Sequence, residues 1–132
     1  MTLIFCIDEE RGIAFGGRRQ SRDRELYKDI ISDAANKQIT MSAYSAKLFD
    51  SGNIYVSDTP TQEDDIYFLE LKNPKDIIPL ANRVVVYNWN RLYPSDVKFD
   101  AEMSSLGFSL VEKQDIKGFS HEKITKEIYE KQ

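Results

Sequence analysis

Leu3 to Ile7 is an unbroken apolar run closed by Asp8, the pattern of a strand buried on both faces. Past the glycines at 12, 16 and 17, Leu26, Tyr27, Ile30, Ile31 and Ala34 recur at helical spacing. They predict one helix, with Ser21 as N-cap, Asp23 in its first turn, and Asn36 or Lys37 closing it. Gln38 to Met41 reads as a second strand, and Ser42 caps a brief helix carrying Ala43, Ala46, Leu48 and Phe49. After the turn Ser51-Gly52-Asn53 come strands at Ile54 to Val56 and Asp65 to Leu71, with a polar loop between them. Pro74 starts a short helical segment through Leu80, and Val84 to Tyr87 is the clearest β-branched strand. Tyr93-Pro94 breaks the pattern, Val97 to Asp100 is extended, and the type of Ala101 to Leu106 stays open. Phe108, Leu110 and Val111 form a last strand; Ser120 then caps a final helix, with Phe119 and Ile124 at hydrophobic-staple spacing.

Strands alternating with helical stretches predict an α/β fold: one domain over 1–132, layered, with a mostly parallel sheet flanked by helices. Ligands of open α/β sheets bind beyond the carboxyl ends of the strands. Asp8, the loop at 16–24, Ser42, Glu70 and the stretch Asn88 to Arg91 therefore belong to one candidate edge.

Composition narrows the function. Apolar residues make up 41% and charged residues 30%, and no apolar run is long enough to span a bilayer. No basic leader precedes the first strand, so a cytoplasmic protein is expected. The single cysteine, Cys6, excludes an intrachain disulfide and reads as a reduced core residue. A net charge of −4 argues against nonspecific coating of nucleic acid.

One local chemistry stands out. Arg18, Arg19, Arg22 and Arg24 crowd a loop that begins at Gly16-Gly17 and enters the predicted helix through Ser21. Glycines, free helix N–H groups and guanidinium forks suit an anion. The expected ligand is a phosphate-bearing molecule, a nucleotide or short RNA, held by Arg18, Arg19, Ser21 and Arg22. Arg91 would add charge and Trp89 or Tyr93 would stack on a base. The spacing matches neither a P-loop nor a dinucleotide fingerprint, and a solvated helix start is the alternative for the arginines. Trp89 and Tyr93 read equally as packing at the sheet edge.

No cofactor is required by these residues. A lone His121 and a lone Cys6 cannot build a zinc site, whereas Asp8 with another acid could hold Mg²⁺. A magnesium-dependent phosphoesterase or nuclease is thus the first alternative, with Asp8 and His121 as candidate catalytic residues. A non-enzymatic module that meets an acidic protein partner through the arginine loop is the second.

Two resemblances bear on this. Arg18 to Asp23, Trp89-Asn90-Arg91 with Tyr93-Pro94, and Ser120 to Glu127 together resemble a family of short uncharacterised proteins of Gram-positive bacteria, sometimes labelled ribonuclease Z. The likeness implies that these three segments share one site, with His121, Arg19 and Arg91 around one cleft. A zinc nuclease is not implied, because His121 stands alone. Leu3 to Phe15, with its strand, gap and Gly12-Ile13-Ala14, is similar to dihydrofolate reductase. That likeness implies an α/β architecture, while the Trp-Pro pair that should follow is replaced by the arginine loop and no later glycine pair cradles a cofactor's phosphates.

Overall fold

The structure, a computed structural model, describes residues 1–132 as an α/β domain built on a seven-stranded sheet. Five strands run parallel: β1 (Thr2–Ile7), β4 (Ile39–Met41), β5 (Ile54–Val56), β6 (Ile66–Phe68) and β7 (Arg83–Asn88). Two antiparallel strands, β9 (Phe108–Ile116) and β10 (Ile124–Lys131), close one side, giving the order β5-β4-β6-β1-β7-β10-β9. The expected layered, mostly parallel fold is what the chain forms.

Alternation along the central strands sends side chains to two cores. Ile4, Phe68, Val85 and Tyr87 pack beneath helix α1 (Arg24–Ala34), which contributes Leu26, Tyr27, Ile30 and Ala34. Each large apolar side chain so buried is worth about 1.5–3 kcal/mol. Leu3, Phe5, Val84 and Val86 face the other way, against Ile13, Ile78, Phe99 and Met103. This second face is covered by 3₁₀ turns at 74–80 and 104–106 and by a small sheet of β3 (Arg18–Arg19), β2 (Gly12–Phe15) and β8 (Val97–Lys98).

Three expectations are corrected. The 12–19 stretch is not an open glycine loop but a hairpin, in which β2 pairs with β3 and Gly16 and Gly17 take the positive φ that its turn demands. Helix α1 is capped by Asp23, whose side chain accepts the Glu25 N–H, rather than by Ser21. The segment after Ser120 is a strand, not a helix. Ile124 and Ile128 suit either period, and buried Lys126 between them hid the strand alternation. Its ammonium ion pairs with Asp29, at 2.7 Å, and with Asp33 on α1, which is why a charge occupies a core-facing position. Ser42 caps α2 (Ala43–Ala46) as expected, accepting the Ser45 N–H.

Candidate functional site

The carboxyl ends of β1, β6 and β7 bring most of the singled-out residues to one edge, as two polar nodes and a groove. The first node surrounds Asp8. One carboxylate oxygen accepts the N–H groups of Glu10 and Gly12, at 2.9 and 2.7 Å, and the other accepts the Gln20 amide and the Tyr93 N–H. With its lone pairs taken by donors, Asp8 has little left for a cation, and no three His, Cys, Asp or Glu side chains gather as metal ligands anywhere in the chain. The Mg²⁺ role expected of Asp8 is therefore withdrawn. Gly12 is needed here, because a Cβ would come within 2.5 Å of the Gln20 amide and 2.8 Å of the Asp8 carboxylate.

The second node is buried around Asp23. The backbone N–H groups of Phe119, Ser120 and His121 all point at its carboxylate, at 2.9–3.1 Å, and His121 Nδ1 lies 3.0 Å from Oδ2. Burial works to raise the Asp23 pKa, but these N–H groups, His121 and the Glu25 N–H outweigh it and hold the carboxyl well below the usual range. An anion does sit at the start of α1, as the glycine-arginine pattern suggested, but the protein supplies it. His121 is stacked on buried Trp89 with centroids 4.7 Å apart, and its Nε2 lies 2.9 Å from the Tyr93 hydroxyl and 3.1 Å from Ser21 Oγ. Trp89 and Tyr93, expected to stack on a base, are thus spent on the imidazole.

The arginines disperse. Arg19 donates twice to Glu70, at 2.9 and 3.0 Å, and lies over the Tyr44 ring; Ser45 Oγ holds the same carboxylate. Arg24 covers the Phe119 ring, and Arg91 reaches the Ser120 carbonyl at 3.0 Å. Arg18 and Arg22 stay exposed and unpaired. Arg91 and His121 meet around Ser120, whereas Arg19 belongs to the Glu70 cluster, so one cleft does not unite the three. Sequence reasoning missed Asp23 as the centre of a node and read Tyr27 only as part of the helix's apolar stripe; the signal for Asp23 was its place two residues past Ser21, one residue before the first helical turn.

The groove lies on the outer side of α1. It encloses about 350 Å³ between Tyr27, Lys28 and Ile31 of the helix and Leu48, Phe49 and Asp50 of the segment after α2. Tyr27 and Phe49 meet at 5.3 Å, tilted by 58°. The Tyr27 ring lines the groove, while its hydroxyl is buried without a hydrogen-bond partner. Burial, helped by Cys6 and Glu70, pushes that phenol far above its ordinary pKa, so it stays a neutral donor.

No protein-family model and no curated protein matches the chain. Among solved structures it is similar to a dihydrofolate reductase from Enterococcus faecalis complexed with NADP(H) and RAB-propyl. The TM-score is 0.70 at 11% identity, covering 98% of this chain and 95% of that one. The chain therefore has the dihydrofolate reductase fold. This overturns the functional expectation built on the arginine loop, namely a phosphate-bearing ligand, with phosphoester chemistry or a protein-interaction module as alternatives. The fold is the one that this reductase shares, and most of the groups on which that expectation rested are tied up inside it. No helix is long and apolar enough to cross a membrane.

Proposed function

We propose that the protein binds a small molecule, a flat aromatic ring with an anionic tail, in the groove between α1 and residues 48–51. The groove itself carries this reading: Tyr27, Ile31, Leu48 and Phe49 give it an apolar lining, and Arg24 and Lys28 set cations on its rim. Dihydrofolate, the substrate in the similar enzyme's name, is a molecule of this kind.

The cofactor of that similar enzyme is a different matter. NADP(H) carries phosphates that need free N–H groups and unpaired cations. At the end of β7, buried Trp89 and its His121 stack fill the turn, and the Asn90 N–H and side-chain amide donate to Asn88, Lys123 and Thr125. The neighbouring cavity at the ends of β4 and β6, about 360 Å³, is lined by Asp58 and Glu70, with Lys72 as its one cation. Beside the end of β7, however, a cavity of about 690 Å³ sets Arg91, Lys117 and Lys123 among Asp115 and Glu122, so the cations that phosphates need stand there and not at β4 and β6.

Calorimetric titration of the full chain with dihydrofolate, and separately with NADPH, tests the reading. Dihydrofolate binding that weakens in Arg24→Ala and in Phe49→Ala supports it. No heat at millimolar dihydrofolate, or tight NADPH binding alone, would refute it.

A further inference from the structure

The groove makes no use of the Asp23 node, whose geometry is that of an activated nucleophile. We propose that Ser21 accepts acyl groups, with His121 as its base and Asp23 orienting the imidazole, and that the protein thereby hydrolyses small esters bearing an anionic group.

Residues a hundred positions apart form one chain of contacts: Ser21 Oγ to His121 Nε2 at 3.1 Å, then Nδ1 to Asp23 Oδ2 at 3.0 Å. Asp23 is an ionised acceptor, so the Nδ1 proton faces it, and the neutral imidazole then turns its Nε2 lone pair to the hydroxyl. That is the arrangement a serine needs to lose its proton during attack. Trp89 fixes the plane of the ring, and the three backbone N–H groups at 119–121 fix the carboxylate. The Asp23 and His121 side chains are 0% and 2% exposed, while Ser21 is only half-buried and is the most open residue of the three.

Charge developing on a substrate carbonyl also has donors at hand. The backbone N–H groups of Ser21 and Arg22 donate to no group of the protein, and the exposed Arg22 guanidinium has no carboxylate partner. The free guanidinium selects an ester with a negative group. In the reaction Ser21 Oγ bonds to the acyl carbon as its proton passes to Nε2, and the alcohol leaves with that proton. Water then attacks the acyl-serine, a proton again moving through Nε2, and releases the carboxylic acid. No oxidant, reductant or metal is required.

Tyr93 makes the mechanism testable apart from folding. Its hydroxyl, 2.9 Å from Nε2, competes with Ser21 for one lone pair, so it restrains the nucleophile. An alkyl fluorophosphonate should label the folded wild-type chain, and peptide mapping should place the adduct on Ser21. Ser21→Ala should lose both the label and about 100-fold or more of the turnover of 4-nitrophenyl hemisuccinate. Tyr93→Phe should label faster than wild type, and Arg22→Ala should erase the preference for the hemisuccinate over 4-nitrophenyl acetate. No adduct on Ser21, turnover undiminished in Ser21→Ala, or slower labelling in Tyr93→Phe with its circular dichroism unchanged would overturn the proposal.

Discussion

Replacing Asp23 by Asn tests the buried node most severely, because Asn is itself a good N-cap and leaves the start of α1 served. One oxygen of the side chain can still take the Glu25 and Phe119 N–H groups. The new amide then stands where Oδ2 stood and turns its own protons toward Ser120 N–H, His121 N–H and His121 Nδ1, formerly at 2.9, 3.1 and 3.0 Å. Each buried donor left without an acceptor costs about 1–3 kcal/mol, and partial rearrangement of the 118–121 turn brings the expected total to roughly 3–5 kcal/mol. Against the 5–15 kcal/mol typical of a whole domain, urea unfolding should show a much lower midpoint at an unchanged slope. The pH dependence fixes the cause. Because the folded pKa of Asp23 is depressed, its contribution is present above the unfolded value of about 3.9 and fades as pH falls below it. The gap between wild type and Asp23→Asn should therefore begin to narrow below about pH 4 and keep narrowing as the pH falls towards the far lower folded-state pKa. A loss under about 1 kcal/mol at pH 7, or a gap that persists undiminished at pH 3, would refute the reasoning.

Lys126→Met should cost about 1–3 kcal/mol in urea unfolding: it strands Asp29 and Asp33, though both are open enough to regain some water. Burial lowers the Lys126 pKa and the two aspartates more than offset it, so the wild-type advantage should hold at neutral pH and fade as pH rises past about 10.4, the unperturbed lysine value. Gly12→Ala should cost more than about 1 kcal/mol by forcing apart Gln20, Asp8 and Ser95, with thermal melting as the readout. Gly17→Ala meets no atom within 4 Å, so its loss should stay near the ~1 kcal/mol of a left-handed backbone.

The architecture was legible wherever a single period ruled. The apolar run at 3–7, the helical stripe from Leu26 to Ala34 and the valines at 84–86 each became the element they predicted. Where a charge took a core position the pattern misled: Lys126 reads as polar, and only its ion pairs across to α1 make it a strand's inward residue. The arginine loop failed for a related reason. Its residue types do mark an anion-rich neighbourhood, but the anions are the protein's own: Asp23 within the loop, and Asp8 and Glu70, 12 and 51 residues from Gln20 and Arg19, which meet the loop only once the sheet is formed. The Ser21–His121 contact, spanning a hundred residues, has no local signature, and neither does the groove, which needs α1 and residues 48–51 side by side.

The groove is the central functional claim, and amide chemical shifts during titration with p-aminobenzoyl-glutamate, an aromatic ring with a dicarboxylate tail, test it most directly. The account predicts saturable shifts at Arg24, Tyr27, Lys28, Ile31, Leu48 and Phe49, with little change at Asn88 to Arg91. Shifts centred on Trp89 and Arg91, or none at millimolar ligand, would contradict it.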